Sequence, residues 1–170
     1  IEARPFLDEI GKFHEAIQNT CLPFTNDSVD LPNWDIFLDE FKNGTPILAH
    51  STFQLPLQKQ AGKIFQALAN LADNDALPVS LQEKCKDIQK VSKQYPDFGE
   101  ELVGHTLYQS QMCAAFETEL AALDEGVIKL FVWLAISYAL KPYLPSLAEW
   151  QEQQKWEEAI CPTCGGTPNM

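Results

Sequence analysis

Apolar positions recur along this chain at helical rather than strand spacing. Behind Pro5, the residues Phe6, Ile10, Phe13 and Ile17 fall at intervals of three and four, which predicts an amphipathic first helix to about Cys21. Asn26 to Asp30 read as a polar loop. Pro32 then opens a second helix carrying Trp34, Phe37, Leu38 and Phe41, which Gly44 can end by taking a left-handed backbone. Thr45 to Pro56 holds two prolines and no clean period, so it reads as a packed connection. Helical spacing resumes from Leu57 to about Leu71 through Ile64, Phe65 and Leu68. Ser80 can cap a helix running to about Gln94, with Pro96 beyond its end. A long fifth helix from about Gly99 carries Leu102, Cys113, Phe116, Leu120 and Leu123 close to one face. Gly126 interrupts, an apolar helix follows over 127–140, and Pro142 and Pro145 lead into a polar last helix from Leu147 to about Glu158.

These elements predict an all-α bundle of about seven helices, joined by connections short enough for antiparallel packing. Val127, Ile128, Leu130, Phe131, Trp133, Leu134 and Ile136 leave no polar face, which places helix 127–140 at the centre. At 14 residues, with Lys129 and Ser137 inside it, the stretch falls short of the roughly 20 residues that span a bilayer. The helical domain is expected over 1–159 and the start of a second region over 160–170.

Composition narrows the partners. Hydrophobic residues make up 45% and charged residues 21% of the 170, enough apolar area to offset the entropy of folding. The net charge of −12 repels phosphate backbones and anionic lipid, so no nucleic acid and no membrane is expected, whereas a basic protein patch is favoured. Of five cysteines, Cys21, Cys85 and Cys113 sit among apolar neighbours, where a reduced thiol behaves as a small hydrophobe. The odd count and wide spacing do not make a disulfide scaffold, and the expected compartment is the reducing cytoplasm. Ile1 onward carries no signal-peptide pattern, and the lack of an initiating Met implies residues before it.

The sequence changes character at Cys161-Pro162-Thr163-Cys164-Gly165-Gly166. Two thiols separated by two residues can turn toward one ion. Pro162 fixes the first turn residue, and the glycines allow positive φ and close approach of amides to sulfur. Zinc and iron both suit thiolates, so Cys161 and Cys164 are the candidate metal ligands. A tetrahedral site needs four, and the other two are expected from residues beyond Met170. Without those, binding should be weak and the tail after about Ile160 mobile. A redox dithiol is the competing reading, but that chemistry wants the pair at a helix N-terminus, and Gly-Gly-Thr-Pro starts no helix. A chemically idle pair is the third. His14, His50 and His105 are far apart and read as structural or surface histidines. No P-loop, G-x-S-x-G or G-x-G-x-x-G occurs, and acid pairs such as Asp39–Glu40 read as solvated helix faces. Trp150 and Trp156 are expected to seat the last helix against the bundle or against a following metal domain, with anchoring of a partner as the alternative. No catalytic residue is assigned, and the chain is not expected to be an enzyme.

The order of these features resembles the formate dehydrogenase accessory protein family, FdhE. An all-helical region ends in an apolar helix (Phe131-Val132-Trp133-Leu134-Ala135), then a proline-containing stretch, then Cys161-Pro162-Thr163-Cys164-Gly165-Gly166-Thr167-Pro168. The outline covers the whole chain, and the specific match is about these last eight residues. The resemblance implies that Cys161 and Cys164 open a region of further Cys-x-x-Cys pairs in rubredoxin-like, iron-binding modules. It also implies a maturation role: binding the catalytic subunit of a molybdenum or tungsten formate dehydrogenase, whose basic signal region would suit the acidic surface. Two alternatives are an iron–thiolate redox or electron-transfer protein and a metal-stapled interaction domain unrelated to formate metabolism.

Overall fold

The computed structural model describes residues 5–25, 29–75, 77–108, 111–112 and 114–167, the side chains of 5–7 and 9 excepted. Among the described residues the chain forms eight α-helices and no strand. They are α1 (Pro5–Thr25), α2 (Leu38–Lys42), α3 (Ser51–Ala69), α4 (Val79–Gln94), α5 (Phe98–Tyr108), α6 (Ala114–Ala121), α7 (Glu125–Leu140) and α8 (Leu144–Glu152). Short 3₁₀ turns at Trp34–Phe37, Ile47–Ala49 and Asn70–Asp73 link some of them. The fold is the expected all-α bundle.

Its centre is the pairing of α3 with α7, and α5 and α1 close round that pair. Phe131 of α7 meets Phe65 of α3 edge-on at 6.4 Å, Phe65 meets Phe98 of α5 edge-on at 6.2 Å, and Phe98 lies 5.9 Å from Phe116 of α6. One line of rings thus ties four helices together, in the offset and edge-to-face geometry that aromatic quadrupoles favour. Asp124 caps α7 by accepting the Val127 amide at 3.0 Å and binds Lys84 of α4 at 2.6 Å. The Lys84 bond, then the amide, hold its carboxyl below the usual range.

The α3–α5 crossing depends on two glycines. A Cβ on Gly62 would lie 3.0 Å from the Glu100 backbone nitrogen and 2.4 Å from its Cγ, and one on Gly99 would lie 3.0 Å from the Gly62 carbonyl oxygen. Alanine at Gly62 gains about 1 kcal/mol of helix propensity. The contact is with backbone, which cannot swing aside, and overpacking of that kind costs about 1–3 kcal/mol. Gly62→Ala is therefore expected to lower the urea midpoint. A midpoint at or above the parent's would mean that the two helices separate freely.

Several boundaries differ from expectation. Gly44 does end α2 at φ +83°, and the Gly44 amide bonds the Phe41 carbonyl while Thr45 bonds that of Glu40, a Schellman closure. Helix α3, however, begins at Ser51 with Pro56 inside it, not at Leu57. Phe53 and Leu57 are one turn apart and both buried, and burying them outweighs the one amide bond that proline removes. Helix α4 starts at Val79, and Ser80 makes no cap. The single fifth helix is replaced by α5 and α6. Phe116 packs on Tyr95 and Phe98, at 5.0 and 5.9 Å, whereas an unbroken helix from 98 to 116 would hold the two ends about 27 Å apart. Cys113, expected on that helix, and most of the Asn26–Asp30 loop lie outside the described residues.

Helix α7 is central but not enclosed on all sides. Leu130 and Trp133, spaced three apart, are 40% and 56% exposed, while Phe131 is fully buried. The last helix starts at Leu144, with Pro145 in its first turn, and ends at Glu152 rather than about Glu158. No single helix among the described residues is long and apolar enough to cross a membrane.

Candidate metal knuckle

After α8 the chain turns back across the face built by α2 and the Ile47–Ala49 turn. Trp150 packs edge-on against Phe41 at 5.0 Å and donates through Nε1 to Asp35 Oδ1 at 3.0 Å. The Trp156 ring also lies against Phe41, at 4.6 Å, and its Nε1 donates to the Ile160 carbonyl at 2.8 Å. Both tryptophans therefore seat the C-terminal segment, Trp150 from α8 as expected and Trp156 from beyond its end at Glu152.

Residues 161–166 form a tight knuckle. The Gly165 amide donates to the Cys161 carbonyl, and the Cys161 amide donates to the Gly166 carbonyl, each at 2.8 Å. Gly165 has φ +74°, a conformation that a side chain disfavours, and a Cβ there would sit 3.0 Å from Pro46 Cγ. Burial works to raise the Cys161 thiol. Hydrogen bonds from the Cys164 and Thr163 amides, joined by their side chains, outweigh it and hold the thiol below its ordinary value. Cys164 is exposed and Cys161 half-buried. Amides aimed at a sulfur that ionises readily are what a thiolate metal ligand needs.

The knuckle is fastened to the bundle, not free as expected of residues beyond Ile160. Its Pro162 carbonyl accepts the Ile47 amide at 3.1 Å, and its Thr163 carbonyl accepts the Leu48 amide at 2.9 Å. Gln151 of α8 adds a bond to Thr163 Oγ1 at 3.3 Å. Sequence reasoning missed this ledge. Its one signal was an apolar pair, Ile47-Leu48, directly behind a proline in a stretch with no period.

The two cysteines fit zinc or iron as half of a tetrahedral site. Among the described residues no group of three or more His, Cys, Asp or Glu side chains is placed to hold an ion, so a four-ligand site would need two ligands from outside that set. Cys21 and Cys85 are buried, and burial raises each thiol to about 11, in keeping with an inert packing role. His14 and His105 are exposed. His50 is buried with Nδ1 2.6 Å from Oε2 of Glu40, whose side chain stays on the solvated face as expected.

Beside the knuckle lies a cleft of about 720 Å³ between α5, α7 and the Ile47–Ala49 turn. Cys164, Thr163 and Gly166 of the knuckle and Trp133 of α7 are among the residues that line it.

Compared with protein-family models, characterised proteins and solved structures, the chain matches none of them. The accessory-protein resemblance rests on the order of elements and on the motif from Cys161 to Pro168.

Proposed function

We propose that this chain is the helical, client-holding part of a maturation factor of the formate dehydrogenase accessory type, which acts in the reducing cytoplasm by binding without turnover. The observation that carries the reading is the fastened Cys-Pro-x-Cys-Gly-Gly knuckle: its amides face a sulfur, and its carbonyls are bonded to the bundle. A metal staple joined rigidly to a binding domain would need these two features, which support the reading. Cys161 and Cys164 would hold zinc or iron together with two further ligands. Zinc would supply a cross-link, and iron would add a one-electron centre.

The client in this reading is the catalytic subunit of a formate dehydrogenase or related molybdenum or tungsten oxidoreductase, including its basic signal region. The support is charge: a surface carrying −12 attracts basic segments and repels nucleic acid and anionic lipid. The exposed Cys164 sulfur also favours a second reading, an iron–thiolate electron-transfer protein, because electrons reach an exposed centre readily. Visible absorbance that bleaches on reduction would select that reading.

The test is capture of the client from the native host, followed by washing at rising salt. Raising salt from about 50 to 500 mM shortens the Debye length from roughly 14 to 4 Å, and binding should weaken accordingly. Deleting the gene should leave the client made but inactive. A client that matures normally in the deletion strain overturns the proposal.

A further inference from the structure

We infer that Cys161 and Cys164 form a thiol–disulfide exchange site, which closes to an internal disulfide against a small-molecule disulfide and so withdraws both sulfurs from metal. The exchange stands on the geometry of the knuckle. Only its effect on metal loading rests on the metal reading above. The two sulfurs are unequally placed: Cys164 is exposed at the edge of the cleft, whereas Cys161 is half-buried. The Cys164 thiol stands within hydrogen-bonding reach of the Cys161 sulfur, and the amides of Thr163 and Cys164 are directed at that same sulfur. The pair opens no helix, but these two successive amides supply the equivalent, a concave pair of donors that stabilises charge on sulfur.

The backbone is already set for closure. The Gly165 amide bonds the Cys161 carbonyl, and a turn closed in that way holds residues three apart at about 5 Å between Cα atoms. A disulfide needs about 4.4–6.8 Å. Ile47 and Leu48 grip the carbonyls of Pro162 and Thr163, the two residues between the cysteines, so the spacing is held from outside as well. The exchange takes two steps. The Cys164 sulfur, as thiolate, attacks one sulfur of the small disulfide, forms a mixed disulfide and releases one small thiolate. The Cys161 sulfur, as thiolate, then attacks Cys164 Sγ, closes the internal bond and releases the second. The two protons lost by the cysteines pass through water to the two released thiolates. The pair is thus oxidised by two electrons, and the small disulfide is reduced by the same two. Cys21 and Cys85 are fully buried and out of reach of such a reagent.

The experiment exposes the reduced, metal-free 170-residue chain to oxidised glutathione, quenches with acid, blocks free thiols and maps the products by mass spectrometry. One tryptic peptide, starting after Lys155, carries both cysteines. The expected product is that peptide lighter by two hydrogens, restored by dithiothreitol. Cys161→Ser should stop at a glutathione adduct on Cys164. Cys164→Ser should react at this peptide about tenfold or more slowly, because the remaining sulfur is half-buried. Zinc(II) in excess, added before glutathione, should slow closure in the parent about tenfold or more, since a ligated sulfur is a poorer nucleophile. No closure, a glutathione adduct that persists in the parent, or equal rates in the two variants overturns the exchange site and leaves the metal reading standing. Closure at the same rate with and without zinc overturns the metal reading and leaves the exchange site standing.

Discussion

Truncating Phe131 to alanine is expected to destabilise the fold by about 3–5 kcal/mol. The side chain is fully buried on the face that α7 turns to α3, and its ring is the first in the line running through Phe65 and Phe98 to Phe116. Removing it loses the transfer free energy of a whole ring and leaves a hole beside Phe65 that the packed helices close on only in part. Trp133, two residues further on, supplies the control. It is the larger side chain, but more than half of it is exposed, so Trp133→Ala should cost under about 1 kcal/mol. Urea unfolding followed by circular dichroism measures both. Equal shifts of the two midpoints would mean that α7 is packed alike on both faces, and the assignment of its inner face would be wrong.

That contrast marks what the sequence can and cannot show. Helical spacing identified α1, α3, α4 and α7, because a face that must meet a core repeats at three and four whatever it packs against. Apolar spacing alone does not show which face of α7 is left open. The run from Val127 to Ile136 reads as having no polar face, although Lys129 and Ser137, one turn either side of Trp133, mark the side that faces solvent. The glycine crossing was hidden. Gly62 and Gly99 look like weak helix positions until the two backbones are seen to touch there. The break between α5 and α6 is set by a long-range contact, Phe116 on Tyr95 and Phe98, which no local window contains. The knuckle was legible for the opposite reason. Its chemistry is local, and a two-residue gap with flanking proline and glycine fixes how the two thiols turn. The ledge that holds it lies more than a hundred residues away and left no comparable trace.

Phe41→Ala is the second change expected to have a large effect, also about 3–5 kcal/mol, but with a different local signature. Phe41 is 1% exposed at the end of α2, between Trp150 and Trp156. The returning C-terminal segment rests on it: Trp156 covers its ring and bonds the Ile160 carbonyl, one residue before the knuckle. Without the ring, Trp156 loses its platform, and the segment from 153 to 160 should open while the bundle stays folded. Opening of a segment is governed by its own free energy, not by global stability. Under strongly native conditions trypsin should therefore cut after Lys155 about tenfold or more faster in Phe41→Ala than in the parent. Phe131→Ala should leave that cut unchanged, although it destabilises the whole fold by a similar amount. Cleavage followed by mass spectrometry separates the two. Equal rates in Phe41→Ala and the parent would show that the bonds from Ile47 and Leu48 hold the segment unaided, and that the Phe41–Trp156 contact is not what fixes the knuckle in place.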